Sequence, residues 1–98
     1  MNNLFISYDL MSPGQNYENV AAAIKKLGAW AKIQYSFWYV KSAYSASDAA
    51  KIVRAAQDQN DSLIVVDATN NNAVWYNLDP KVAEFLKTQW QQRAAAFS

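Results

Sequence analysis

The chain contains neither cysteine nor histidine. The first absence excludes disulfides and thiolate metal sites. Together they exclude zinc centres of the usual kind and any histidine-based triad. A dominant charge is missing as well: nine Lys/Arg stand against eight Asp/Glu, a net charge of +1. Such a balance gives no strong field for steering polyanions and argues against tight, non-specific nucleic-acid binding, which draws on many Lys/Arg–phosphate contacts. No run of about 18 apolar residues exists, so no transmembrane helix is expected. No basic segment precedes Leu4-Phe5-Ile6 and Asp9 interrupts that run, so no signal peptide is expected either and the expected location is the cytoplasm.

What is present is a core. The hydrophobic fraction is 52% and the aromatic fraction 14% over 98 residues, enough for one domain spanning 1–98. A domain of this size buries only ~60–65% of its unfolded surface, and pairing with a second copy would help it.

Leu4 to Leu10 reads as a first strand, closed by Asp9 and broken by Met11-Ser12-Pro13-Gly14. Asn16 or a neighbour caps a helix over Tyr17 to Leu27, whose Val20, Ala23, Ile24 and Leu27 recur at helical spacing. Gly28 follows as a C-terminal cap, with Lys25 and Lys26 suited to the helix dipole. Trp30 to Lys41 is rich in aromatic and β-branched residues and reads as a long strand, with a possible break near Trp30-Ala31. Ile33, Tyr35, Phe37 and Tyr39 would share one face, and Lys32, Gln34, Ser36, Trp38 and Val40 the other.

Ser45-Ala46-Ser47-Asp48 is a capping box for a second helix with Ala49, Ile52, Val53 and Ala56 as its buried stripe. Ser62 to Ala68 holds Leu63-Ile64-Val65-Val66, expected to be a central strand buried on both faces. Thr69-Asn70-Asn71-Asn72 is a turn tract, because Asn tolerates left-handed backbone. Ala73 to Asn77 reads as a short strand or extended segment. Asp79-Pro80 starts a third helix as N-cap and N1, with Val82, Leu86 and Trp90 on one face. Residues 93–98 are expected to fray. With right-handed crossovers this order predicts an α+β, ferredoxin-like βαββαβ-type sandwich with an added C-terminal helix. Its bare sheet face would expose aromatics unless a second subunit or the last helix covers it.

Three motifs in order carry a resemblance: a first strand ending in Tyr8-Asp9, Gly28 followed by the strand Ile33-Gln34-Tyr35-Ser36-Phe37-Trp38, and Asp61-Ser62 before Leu63-Ile64-Val65-Val66. Over roughly residues 3 to 68 the chain resembles the SinR-like proteins and, more distantly, the small subunit of the CRISPR spacer-acquisition complex and virulence-associated protein D. The resemblance implies a ferredoxin-like homodimer. Some such relatives are metal-dependent endonucleases. By that resemblance Asp9 of each subunit would meet at the dimer cleft to hold Mg²⁺, which activates water and neutralises phosphate, with Ser7 as a polar helper. Others serve as scaffolds. The chain departs from the nuclease pattern: Tyr17 to Leu27 has no arginine, and Trp-Tyr-Val follows Phe37 where an acidic continuation would stand.

Candidate ligand-binding residues are Trp30, Lys32, Gln34, Ser36, Trp38, Asn70 and Asn71. Trp38, Trp75 and Trp90 are expected in the core or at a dimer interface, although Trp and Tyr also serve as base-stacking residues, and Trp30, beside Lys32, is the one expected to be exposed. The Asn tract suits a turn, or amides reading base edges. Lys32 and Lys41 suit phosphate, or a solvated strand edge. Asp67 either begins a turn or lines a cleft. The expected function is a small homodimeric nucleotide- or nucleic-acid-binding protein without catalysis, binding or sequestering a small or cyclic nucleotide in a dimer cleft. Two alternatives stand beside it: a divalent-metal-dependent endoribonuclease or DNase using Asp9, and a structural subunit of a defence or mobile-element complex.

Overall fold

The computed structural model describes residues 1–11 and 17–96, with side chains up to residue 89. The elements are β1 (Asn2–Asp9), α1 (Tyr17–Lys25), β2 (Gly28–Gln34), β3 (Phe37–Ser42), α2 (Ala46–Arg54), β4 (Ser62–Asp67), β5 (Asn72–Tyr76) and α3 (Pro80–Ala96). The strands form one sheet in the order β2-β3-β1-β4-β5, and every neighbouring pair is antiparallel. This α+β arrangement is compatible with a ferredoxin-like fold: β1 and β4 flank each other centrally, and each βαβ crossover skips one strand.

The long strand expected over Trp30 to Lys41 is two strands. Tyr35 and Ser36 form a turn, and the chain doubles back as a β2–β3 hairpin. No glycine or proline marks this reversal, which is why period-2 patterning ran straight through it. The register slips between Lys32 and Gln34, so that Gln34 comes opposite Phe37. Gln34 therefore leaves the row of Lys32 and Trp38 in which the alternation had placed it.

α1 ends at Lys25 rather than Leu27. Gly28 opens β2 opposite Ser42 instead of serving as the expected helix cap. A Cβ on Gly28 would stand 2.0 Å from the Lys41 carbonyl oxygen, so close strand approach is what requires glycine there. The expected Asn16 cap and the break at Ser12-Pro13-Gly14 lie outside the described residues. α3 continues to Ala96, into the segment expected to fray.

Other local signals act as read. Ser45 caps α2, its hydroxyl accepting from the Asp48 N–H at 3.0 Å. The Asp79 carboxylate accepts from the Lys81 N–H at 2.8 Å and starts α3 behind Pro80. Asn71 takes φ 56° in the β4–β5 turn.

The core lies between one sheet face and helices α1 and α2. Leu4, Ile6, Tyr8, Trp38, Val40, Leu63 and Val65 meet Val20, Ile24, Ala49, Ala50 and Val53 there. The strand pleat sends Phe5, Phe37, Tyr39, Ile64, Val66 and Trp75 to the opposite face. β4 is thus not buried on both faces: Ile64 and Val66 stay half-buried, on the side of the sheet away from α1 and α2. α3 meets the sheet near its start, where Pro80, Ala83, Glu84 and Lys87 line a hollow with Trp75. Val82 and Phe85 on it remain exposed. Among the described residues no helix is long and apolar enough to cross a membrane.

Candidate functional site

The pleat divides the aromatic side chains between two faces, and this division decides which of them can meet a ligand. Trp30, Lys32 and Trp38 gather on the helix side of the β2–β3 hairpin. Trp38 is a core residue, 2% exposed, and its Nε1–H donates to the Tyr8 hydroxyl oxygen at 3.0 Å. Burial pushes the Tyr8 hydroxyl above its ordinary pKa, and the bond from Trp38 partly offsets this. Trp30 tilts against Trp38 with ring centroids 5.3 Å apart and stays 46% exposed, as the sequence suggested. The Lys25 ammonium sits 4.8 Å from the Trp30 ring, and Lys32 lies over Tyr35 and Trp38 at 4.9 and 5.6 Å. These cations already sit against aromatic faces of the chain itself.

The other expected site residues are dispersed. Ser36 lies in the hairpin turn, where its carbonyl accepts from the Tyr8 N–H at 3.2 Å. Asp9 is exposed opposite Ser62 at one end of the sheet, and Ser7 is half-buried between Phe37 and Ile64. Asn70 and Asn71 stand at the other end, in the turn after Asp67. The sheet therefore does not bring Asn70 and Asn71 to Asp9. The Asp67 carboxylate accepts from the N–H groups of Thr69 and Asn70 and from Asn70 Nδ2, at 3.0, 3.1 and 2.7 Å. It begins the turn, and Asn70 is spent holding it.

Asp61, at 1% exposure, is likewise structural: its carboxylate accepts from the N–H groups of Met11 and Asp58 at 2.7 and 2.9 Å. Its carbonyl, with that of Gln59, accepts from the Arg54 guanidinium. Among the described residues no three acidic side chains gather into a metal-binding group. A Mg²⁺ ion at Asp9 would need further oxygen ligands, from water, a phosphate or another carboxylate.

A different constellation occupies the open face. Phe5 of β1 stacks on Phe37 of β3 with ring centroids 5.8 Å apart and planes at 22°, and lies 5.5 Å from the Tyr39 ring. The three rings form one half-buried platform across the two adjacent strands. Next to it, Asn3 Oδ1 accepts from the Tyr39 hydroxyl at 2.7 Å and from Lys41 Nζ at 3.2 Å. An ammonium only donates, so the amide atom facing Lys41 must be the oxygen, and the Asn3 NH₂ points away from it. Phe5 stands within the apolar run Leu4-Phe5-Ile6, whose pattern points to burial rather than to a platform. The i, i+2 spacing of Phe37 and Tyr39 was the available signal.

Chemically, a half-buried aromatic surface flanked by amide and ammonium donors suits flat π-systems that carry oxygen acceptors. Aromatic side chains on an open sheet face are one kind of surface on which unpaired bases stack. Comparison with models of known protein families gives no match, and comparison with curated proteins gives no significant one.

Proposed function

We propose that this protein is a non-catalytic binding module for nucleotides or short single-stranded nucleic acid. The observation that carries this reading is the Phe5–Phe37–Tyr39 platform on the open face of β1 and β3. Every base has a π-face, so such a platform captures bases without a code and without a large net charge. Nine basic against eight acidic residues fit a ligand with few phosphates better than a long duplex. The ligand site thereby moves from the Trp30–Trp38 row to the opposite side of the sheet.

A second reading rests on the same face. Its apolar surface continues from the platform through Ile64 and Val66 to Trp75, and such patches also mark subunit contacts. Here a second copy covers the open face, giving the ferredoxin-like homodimer that the resemblance implies and leaving the protein a structural subunit.

Titration calorimetry with mono-, di- and cyclic nucleotides and a longer single strand, at two salt concentrations, tests the first reading. Light scattering with and without ligand tests the second. Binding to a monomer, with a shallow log–log salt slope of about 1–3, supports the binding module. A tight dimer that binds none of these ligands, and that Ile64→Glu dissociates, replaces it with the structural subunit.

A further inference from the structure

We infer that the Asn3–Lys41 corner of the open face is a phosphate subsite, holding the phosphate of a nucleotide whose base stacks on Phe5 and Tyr39. The inference rests on the binding reading above. Asn3 and Phe5 lie two residues apart on β1, as do Tyr39 and Lys41 on β3, and Asn3 pairs with Lys41 as Phe5 pairs with Tyr39. Two residues of strand span about 6.7 Å. That is close to the reach of a sugar between a stacked base and its phosphate.

The corner presents donors. With Oδ1 held by Tyr39 and Lys41, the Asn3 NH₂ is the part of the amide left to face a ligand, and no described residue accepts from it. Lys41 is exposed, bonds to Asn3 alone among the described residues, and has no carboxylate partner among them. Its positive charge is therefore not neutralised within the described chain, and it lies beside the platform, whereas Lys25 and Lys32 lie over rings on the other face. Two donor groups and one uncompensated positive charge suit an oxyanion.

The corner is also fixed in place. The Asn3 N–H donates to Thr69 Oγ1 at 2.9 Å, and the Asn3 carbonyl accepts from the Ala68 N–H at 2.9 Å. The Tyr39 hydroxyl ties the amide to the stacking ring itself. Base and phosphate would thus be held by one connected unit rather than by two mobile side chains.

The test is calorimetry with adenosine and adenosine monophosphate on wild type, Lys41→Gln, Asn3→Asp and Phe5→Leu, each checked for folding by circular dichroism. Hydrogen bonds to a charged group predict that wild type binds the monophosphate ~10-fold or more tighter than adenosine. Lys41→Gln should bring that ratio close to one, and Asn3→Asp, which turns the amide donor into an anion, should bring it to one or below. Phe5→Leu should weaken both ligands. Equal wild-type affinity for the two, with Phe5→Leu still weakening both, overturns the subsite and leaves the stacking module standing. A preference that survives Lys41→Gln overturns its placement here. If wild type binds neither compound nor any short single strand, the subsite and the binding reading fall together.

Discussion

Replacing Tyr8 by Phe removes one oxygen from the core and tests how the two sheet faces divide the aromatic residues. Tyr8 is 4% exposed and Trp38 2% exposed, and the Trp38 Nε1–H has the Tyr8 oxygen as its acceptor. Among the described residues every buried side-chain nitrogen and oxygen has a partner. Tyr8→Phe would therefore create an unsatisfied donor where water does not reach. Leaving a buried donor unpaired costs about 1–3 kcal/mol. For a domain of this size each kcal/mol moves Tm by ~4–8 °C, so Tm should fall by roughly 5–20 °C. Thermal unfolding followed by far-ultraviolet circular dichroism reads this directly.

The double variant Tyr8→Phe/Trp38→Phe removes donor and acceptor together, so its loss should be smaller than the sum of the two single losses. Strict additivity, or a Tyr8→Phe variant as stable as wild type, would refute the assignment of the pair. The pH dependence has a definite sign. Burial raises the Tyr8 hydroxyl above its ordinary value, so the folded state holds this proton more tightly than the unfolded state. The contribution is fully present below pH ~10, the unfolded value, and is lost as pH rises through the higher folded value. Tyr8→Phe should remove this part of the alkaline destabilisation.

Phe5→Leu keeps most of the apolar volume on the open face but removes a stacking surface. It should weaken nucleotide binding by ~10-fold, within the 1–3 kcal/mol per base that stacking contributes, and calorimetry beside a melting curve separates this from unfolding. Gly28→Ala must push a methyl into the Lys41 carbonyl. It should cost ~1–3 kcal/mol, with faster amide hydrogen exchange concentrated at the start of β2 as its signature. Asp9 is exposed at a strand end, so Asp9→Asn should change stability by less than ~0.5 kcal/mol. Purified wild type should show no Mg²⁺-dependent cleavage of RNA or DNA, and turnover that disappears in Asp9→Asn would establish the nuclease alternative.

The elements legible in the sequence are those with their own local chemistry. Ser45 and Asp79 carry side-chain oxygens where helix N–H groups lack partners, and both helices begin there. Leu63-Ile64-Val65-Val66 is apolar, β-branched and bounded by polar turn residues, which favours strand. The β2–β3 reversal had no comparable mark. Its turn is Tyr35-Ser36, and Tyr35 belongs to an aromatic run that continues strand patterning on both sides. Gly28 was visible but ambiguous: a glycine after a helix serves equally as a cap or as the point where another backbone comes close. The 2.0 Å gap to Lys41 settles the matter only once β3 is in place.

The candidate site was harder to read for a related reason. Alternation shows that Phe37 and Tyr39 share a face and that Trp38 and Val40 share the other. It does not say which face the helices cover. That is decided by β1, where Leu4, Ile6 and Tyr8 face α1 and α2 and leave Phe5 outward. Once β1 pairs with β3, Ile6 stands opposite Trp38 and Phe5 opposite Tyr39. Both central strands then send one set of rings inward and one outward. Trp38, named both as a core residue and as a ligand-binding candidate, is core. Phe5, which in a run of three apolar residues looked like core, becomes surface. Lys41 follows Phe5 for the same reason, and Lys32 follows Trp38. The exchange comes from strand pairing between residues more than 30 positions apart, so no window along the chain contains it.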